Sequence, residues 1–501
     1  MKLIGLDVGT TGCKAVVFDA EGNVLGHGFR EYGVICDAPG KAEQDAELVW
    51  SLTKEVLREA VSNTGNSDIA ALSLSVQGDA VIPVDDDFSA LHPAILGMDY
   101  RSAAQAEKCA DVLGSKALFE ETGMKPHPMN SLTKVLLLRE MTPAVFSRMA
   151  RIVTYADFLL GKLGGEAAID YTMASRTMAF ESGTLRWSDR IHRALDLDKA
   201  IWSKPVPSGT IIGNIRPTLA EELGLPANLR LVTGGHDQTC AALGAGGVHP
   251  GLGVVSTGTA EVLSAALSAP RLSNEMFESF YPCYLHAVKG MFFTFSLNHV
   301  GGLLLRWWRD NFAGQEASEA SQRGIDAYRL IDEHMPRGPS SVMVLPHFNG
   351  SGTPGCDLQS KGAVVGLTLA TTRHDIARAI LEGLTFELNL NLETMLACGI
   401  PIEALAAVGG GAKSAVWLQL KADILNRPLN TLRCREAACL GAALLAGTAV
   451  GIYKDLKEAV ARTVQYEREF VPSTAQVQAY SERYATYKLL QPSLRVIHPR
   501  L

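Results

Sequence analysis

Apolar and polar positions follow two rhythms along this chain, and each change of rhythm marks an element. Residues 1–20 carry two apolar runs, Leu3-Ile4-Gly5-Leu6 and Ala15-Val16-Val17-Phe18, around a Gly/Thr turn at 9–12. That pattern predicts a β-hairpin, with a second turn over 19–23. Over 45–63, Leu48, Val49, Leu52, Val56, Leu57 and Ala60 recur at helical spacing, which predicts a helix. The apolar run 69–76 predicts a strand that stops at the polar Gln77-Gly78-Asp79. Asp85-Asp86-Asp87 reads as a solvated hairpin turn, and 102–114 and 131–140 read as helices. A strand over 231–233 runs into Gly234-Gly235-His236-Asp237-Gln238-Thr239 and then a small-residue helix to Gly246. Residues 251–263 are again strand, Gly/Thr turn, strand. Helices are expected over 302–313, 375–397, 414–426 and 436–451, and strands over 341–346 and 404–408. Residues 454–491 are expected to be helical trim without site chemistry.

The strand–turn–strand theme thus recurs half a chain later, which suggests two related α/β domains facing one another across a cleft. A length of 501 residues also exceeds what one core supports. Composition adds exclusions. Hydrophobic residues at 47% and charged residues at 20% suit a soluble globular protein. A net charge of -7, with no basic run, argues against nucleic acid or an anionic membrane as partner. No apolar stretch approaches a membrane span, and no apolar leader precedes the first strand. Nine scattered Cys without a C-x-x-C pair fit reduced thiols in a cytoplasmic enzyme. Twelve dispersed His lack metal-ligand spacing, so no structural zinc site is expected.

Candidate chemistry begins in the first turn. In Asp7-Val8-Gly9-Thr10-Thr11-Gly12 the glycines let backbone N–H groups converge, and the threonines add hydroxyl donors. Such a nest suits phosphate, and Asp7 beside it suits a hydrated Mg²⁺. The competing reading is a hairpin whose glycines only make the turn. No G-x-x-x-x-G-K-[ST] occurs, which excludes a P-loop. The G-x-G-x-x-G match at 350–355 opens no helical pattern and reads as a loop. Gly409-Gly410-Gly411-Ala412-Lys413-Ser414 lies between an apolar strand and a helix, leaving room for a flat ring and offering N–H groups to an anion. A tight turn is the alternative, although it would need only one glycine. Asp237, after a strand and two glycines, could accept a proton from a hydroxyl attacking a γ-phosphate, or could cap a helix over 239–246. Gln238 could bind a substrate hydroxyl. His236 reads as a packed or capping imidazole.

Together these pieces resemble the FGGY carbohydrate kinases, a branch of the actin-like, ribonuclease-H-like ATPases. The resemblance spans nearly the whole chain in motif order. Asp7 to Gly12 looks like the first phosphate loop, with Lys14 at its basic position. Met129-Asn130-Ser131-Leu132-Thr133-Lys134 resembles the start of the first signature, and Asp170 through Ala174-Ser175-Arg176-Thr177 a second family stretch. Gly235-His236-Asp237-Gln238 resembles the catalytic segment and Thr257-Gly258-Thr259 the second phosphate loop. Gly301-Gly302 with Arg306-Trp307 looks like the segment that reaches the nucleotide, and 362–383 like the second signature. Gly409 to Ala412, with Trp417, Gln419 and Asp423, is similar to the adenosine segment.

The resemblance implies two ribonuclease-H-like domains flanking a catalytic cleft. Residues 1–245 would hold the sugar; residues 246–501, ending in helical trim, would hold most of the ATP. Asp237 would be the general base and Asp7 the Mg²⁺ holder. Thr10, Thr11, Gly12, Lys14, Gly258 and Thr259 would cradle phosphates, and Gly302, Gly410, Gly411 and Ala412 would line the nucleotide site. Gln77, Gly78, Asp79, Asp99, Asp237 and Gln238 would face the sugar. The expected partner is a small sugar, with a homodimer left open.

The departures bear on specificity. Gly97 and Leu137 stand where many members carry Trp, and Gly78-Asp79 replaces Arg-Glu or Met-His pairs. Gly350-Ser351-Gly352-Thr353-Pro354 replaces a charged loop. These changes point away from glycerol and toward a ketose, a pentulose such as xylulose or a hexulose. The alternatives are a polyol or sugar acid (glycerol, erythritol, gluconate). An actin-like ATPase without kinase activity, or a sugar sensor without catalysis, would have no use for Asp7, Asp237 and the 77–99 segment together.

Overall fold

The computed structural model describes residues 1–62, 64 and 68–500; position 63, the end of the helix expected over 45–63, lies outside the described residues, as does 501. The opening hairpin forms β1 (Lys2–Val8) and β2 (Gly12–Asp19), in a register that pairs Asp7 with Lys14. β3 (Val24–Glu31) pairs with the other edge of β2. α1 (Ala46–Ser62) buries Val49, Val56, Leu57 and Ala60 of the periodic set, with Leu52 half-buried and Leu48 exposed, and returns the chain to β4 (Ile69–Val76), parallel to β1. α2 (Ser131–Met141) and α3 (Tyr171–Arg176) follow, then β5 (Ile211–Asn214) and β6 (Arg230–His236). The sheet order is β5-β6-β4-β1-β2-β3.

β6 is longer than the strand expected over 231–233. It continues through Gly234 and Gly235 because Gly234 is pressed onto β4, where a Cβ would lie 1.6 Å from the Leu74 carbonyl oxygen. α4 (Asp237–Gly244) therefore starts at Asp237 rather than at 239.

The second half repeats the plan. β7 (Gly251–Thr257), β8 (Glu261–Leu267), β9 (Tyr284–Leu285) and β10 (Phe292–Asn298) are antiparallel neighbours. Three short helices come next, α5 (Gly302–Phe312), α6 (Gly314–Arg323) and α7 (Ala327–His334), and then the long α8 (Arg373–Ala397). β11 (Ile402–Val408), α9 (Ala415–Leu425), β12 (Leu429–Leu432), α10 (Ala437–Ala449) and β13 (Tyr466–Phe470) complete the sheet β9-β10-β8-β7-β11-β12-β13. In each sheet three antiparallel strands adjoin two parallel ones, so the fold is the expected pair of ribonuclease-H-like domains.

The expectation of helical trim over 454–491 fails at β13. Tyr466, Arg468 and Phe470 alternate at strand period, and β12 offers them an open edge, with Phe470 opposite Leu429.

The two halves are sealed by an exchange of helices. α10, from the second half, lies on the first sheet, where Cys439, Leu440 and Leu444 join the core of Leu3, Val16, Phe18 and Val232. Ala242 of α4, from the first half, joins the core of Val254, Phe293, Ala406 and Val408. Missing side chains allow this approach: a Cβ on Gly5 would lie 1.8 Å from the Cys439 carbonyl oxygen, and one on Gly441 1.9 Å from that of Cys240.

Candidate active site

Two Gly/Thr turns, one per sheet, face the cleft between the domains. In the first, the Gly9 amide donates to the Gly12 carbonyl at 3.0 Å, and the Tyr32 hydroxyl lies 2.7 Å from the Gly9 carbonyl oxygen. Thr10 Oγ1 donates to Gln77 Oε1 at 3.2 Å, and Gln77 Nε2 donates to Gln44 Oε1 at 3.0 Å. Gln77, expected against the sugar, thus braces the first Gly/Thr turn, while Thr11 is exposed. Lys14 reaches across the cleft to Glu436, 2.5 Å away.

In the second turn the Gly258 amide donates to the Ala260 carbonyl at 3.0 Å. A Cβ on Gly258 would meet nothing within 4 Å, so this backbone is open to an approaching group. The Gly302 amide, opening α5, donates to the Gly258 carbonyl at 2.8 Å, and the Gly301 amide donates to that of Thr259 at 2.7 Å. Below the turn Lys421 Nζ donates to Thr257 Oγ1 and pairs with Glu261, each at 2.7 Å, and both charged side chains are buried. Nothing in the local sequence pattern announced this pair, because its members lie on β8 and α9.

A cavity of about 250 Å³ joins the two sides and is lined by Asp7, Lys14, Asp237, Gln238, Ser256, Gly409 and Glu436. Asp7 accepts from Ser75 Oγ at 2.6 Å, and burial raises its pKa. His236 occupies the N-cap position of α4 and Asp237 is the first helical residue, so the reading of Asp237 as the cap fails. Asp237 Oδ1 is buried and has no hydrogen-bond donor among the described residues. His236 Nε2 approaches it at 3.2 Å, out of hydrogen-bonding alignment. Burial first, and then the Asp7 charge, push the Asp237 pKa up to about 7. Two carboxylates with raised pKa values around a shared cavity, one of them raised in part by the charge of the other, fit a divalent cation, which would relieve the repulsion.

A groove of about 710 Å³ adjoins this cavity and shares Lys14, Gly409 and Glu436 with it. Gly410 and Ala412 line its floor, and Glu467, Arg468 and Phe470 from β13 form a wall, so the 454–491 segment does carry site surface. Gly409 has φ +83°, and a Cβ there would lie 2.7 Å from the Thr257 carbonyl oxygen. On Gly411 a Cβ would fall 2.6 Å from Thr257 Cβ. The glycine run therefore lets this turn lie directly on the second Gly/Thr turn. Gly410–Lys413 forms a 3₁₀ turn, and α9 begins only at Ala415, with Ser414 Oγ accepting from the Trp417 amide. Asp332 of α7 accepts from the same Ser414 hydroxyl at 2.7 Å.

The sugar-side residues separate into two groups. Asp79, with φ +65°, is buried against Arg176, whose Nε donates to Oδ1 at 3.1 Å and whose Nη2 meets Oδ2. Arg176 also lies over the rings of Tyr284 and Phe295, at 5.4 and 5.1 Å, and so bridges the domains. His236 Nδ1 lies 3.0 Å from the Tyr284 hydroxyl, and burial keeps this imidazole neutral by pushing its pKa down. A Cβ on Gly78 would be 2.7 Å from His236 Nε2, and one on Gly97 would be 3.2 Å from the Gly78 carbonyl oxygen. The two glycine departures thus make room for His236 and the Arg176–Asp79 pair. Asp99 stands apart: it is fully buried and accepts from the Ala42 amide at 2.8 Å and Arg101 Nη2 at 2.7 Å. Sequence reasoning gave Arg176 no role of its own and did not single out Tyr284 or Phe295; only the fold brings them to Asp79.

Family models match both halves of the chain: the N-terminal domain of the FGGY family of carbohydrate kinases over residues 2–244, and its C-terminal domain over 253–450. The chain is 28% identical over 488 residues to the xylulose kinase of Bacillus subtilis (strain 168), covering 97% of this chain and 96% of that protein. It is 27% identical over 453 residues to the gluconokinase of the same organism, covering 90% of this chain and 88% of that protein. Its fold superposes on the crystal structure of ligand-bound xylulose kinase from Lactobacillus acidophilus with a TM-score of 0.89, at 24% identity, covering 100% of this chain and 99% of that one.

Proposed function

The chain belongs to the FGGY family of carbohydrate kinases, and on that premise we propose that it phosphorylates a small ketose, a pentulose such as xylulose or a hexulose, with Asp237 as general base. It is an ATP-dependent sugar phosphotransferase, and the curated relatives it resembles include a xylulose kinase. The observation that carries the base assignment is Asp237 Oδ1, buried at the cavity mouth without a donor. A sugar hydroxyl is the donor this oxygen lacks.

In this reading residues 1–245 hold the sugar and residues 246–501 most of the nucleotide. The hydroxyl donates to Asp237, which takes its proton as the oxygen attacks the γ-phosphorus and the bond from that phosphorus to the bridging oxygen breaks, releasing ADP. The open backbone at Gly258 and the hydroxyls of Thr10, Thr11 and Thr259 receive phosphate oxygens, with Gly12 and Lys14 behind them. Lys14 exchanges Glu436 for the triphosphate. Gly410 and Ala412 line the nucleotide groove and Phe470 closes its wall, and Gly302 and Gly411 are assigned to the same nucleotide site. Asp7, held by Ser75, and Asp237 would hold Mg²⁺, which when bound with ATP neutralises charge on the β- and γ-phosphates. Arg176, fixed by Asp79, orients the acceptor with Gln238 and His236, and domain closure around them excludes water. All nine cysteines are free, which supports a cytoplasmic setting. Among the described residues no helix is long and apolar enough to cross a membrane.

The test is a screen of ketoses, polyols and aldonates by ADP release, with Asp237→Ala as control. Turnover of the variant near wild type would refute the base assignment; a panel without any active ketose would refute the substrate class. One observation favours a second reading. A small interdomain pocket of about 90 Å³ collects Lys125, His127, Arg176 and His299 with no acidic side chain among its lining residues. Such a lining suits the carboxylate of a sugar acid, and aldonates outcompeting ketoses in kcat/KM would select it.

A further inference from the structure

We propose that Glu316, His334 and His374 form a binding site for a divalent cation of the zinc class, remote in sequence from every residue assigned to phosphoryl transfer. Each residue offers one ligand atom, and the three atoms lie within 4.8 Å of one another. They come from three elements: Glu316 from α6, His334 from the last turn of α7, and His374 from the first turn of α8. Two imidazoles and one carboxylate are a common zinc donor set.

The geometry is near that of a loaded site. Bonds of about 2.1 Å in a tetrahedron place ligand atoms roughly 3.4 Å apart. His374 Nε2 lies 2.8 Å and His334 Nδ1 3.7 Å from Glu316 Oε1, on either side of that spacing. A second feature points to a ligand. Glu316 is buried, with 1% of its surface exposed, and its Oε2 has no hydrogen-bond partner among the described residues. A buried carboxylate oxygen without a donor is costly unless a cation completes it. The three side chains line an open cavity of about 320 Å³, which leaves a water its coordination position.

Arg373 is the competing cation. It donates to Glu316 Oε1 at 2.8 Å and to Gln315 Oε1 at 3.0 Å. Its side chain is 40% exposed, so it can turn to Gln315 and solvent when a metal takes the carboxylate. The ligands are 18 and 40 residues apart in sequence, a spacing no short motif contains.

The site's position gives the cation a role. His334 lies two residues from Asp332, which accepts from the Ser414 hydroxyl that caps α9. A cation that ties α7 to α6 and α8 therefore stiffens the support of the Gly409–Lys413 turn.

The test uses the full chain without a histidine tag, stripped by chelator and titrated with Zn²⁺ by calorimetry, and with Co²⁺ followed by its visible absorption. We expect one equivalent to bind with micromolar or tighter affinity. The melting temperature should rise by about 2–3 °C at a hundredfold excess over Kd. Exposed His334 is replaced first: His334→Ala and, separately, His374→Ala should each weaken binding at least about tenfold while the chain remains folded. Absence of binding to the wild-type chain below 100 μM would overturn the proposal, leaving an ion-pair network only. Binding undiminished in both histidine variants would also overturn it, placing the ion elsewhere, such as at Asp7.

Discussion

Asp237→Asn tests the site at two levels, because the same burial that tunes the carboxylate also strains the fold. The Asp237 pKa is pushed from an ordinary 3.8 to about 7 by burial and by Asp7. The folded protein therefore holds this proton more tightly than the unfolded chain. Stability contributed by the protonated form is complete below about pH 4 and is lost as pH rises through about 7. Three units carry roughly 4 kcal/mol at 1.36 kcal/mol per unit. The side chain is 32% exposed toward the cleft, so solvent screens much of this and about 1–2 kcal/mol remains. Asn has the same shape and no charge. At pH 8 the variant should thus be more stable than wild type by about that amount. At about 2.1 cal/mol/K per residue of unfolding entropy, a chain of this length gains ~1–2 °C. The gap should shrink by more than half at pH 5, where wild type is protonated. Activity should move the opposite way, with turnover lost by about 10²–10⁴ at every pH. Thermal unfolding at both pH values, with ADP release on the same samples, reads both effects. A variant that is stabilised equally at pH 5 and pH 8, or that keeps more than a tenth of wild-type turnover, refutes the reasoning.

Other perturbations follow from the same geometry. Gly78→Ala places a methyl 2.7 Å from His236 Nε2, so KM for the sugar should rise about tenfold with KM for ATP unchanged; equal shifts in both would remove Gly78 from the sugar side. Lys421→Met strands Glu261 in the core without its partner at 2.7 Å and should cost about 3–5 kcal/mol in urea unfolding, with Glu261→Gln restoring much of it. Gly441→Ala directs a methyl at the Cys240 carbonyl, 1.9 Å from its oxygen. It should separate α10 from α4 and cost about 1–3 kcal/mol, whereas an unchanged urea midpoint would show that the helix contact yields freely.

Most elements were legible from period and punctuation. The hairpin at 1–20 and its echo at 251–263 announce themselves through apolar runs broken by Gly and Thr, and each became two paired strands. The strand at 69–76 needed no correction. What escaped was set by distant partners. β13 is polar and exposed over most of its length, and only the open edge of β12 makes it a strand. The end of β6 was hidden because glycines read as a turn, although here they permit strand contact. The two Gly/Thr turns were readable as turns because a tight turn is set by local sequence. The cluster around Asp79 was not: Asp79 meets Arg176, and Arg176 meets Tyr284 and Phe295, through the domain arrangement alone. Gln77 and Asp99 show the converse, since a polar residue near a pocket can spend its bonds on the scaffold.

The helix exchange has a consequence for how the chain is made. The first sheet is finished when β6 ends at His236, yet the helix that covers Leu3, Val16 and Val232 starts only at Ala437. Roughly 200 residues separate the two events, or ~10–40 s at the ribosome. Throughout that interval the nascent first half has only Cys240 and Leu243 of α4 to set against this apolar face. The last part of that face is closed only when α10 has been made. Separated from the second half, the first sheet would lose Cys439, Leu440 and Leu444 from this core and keep only the α4 part of its cover.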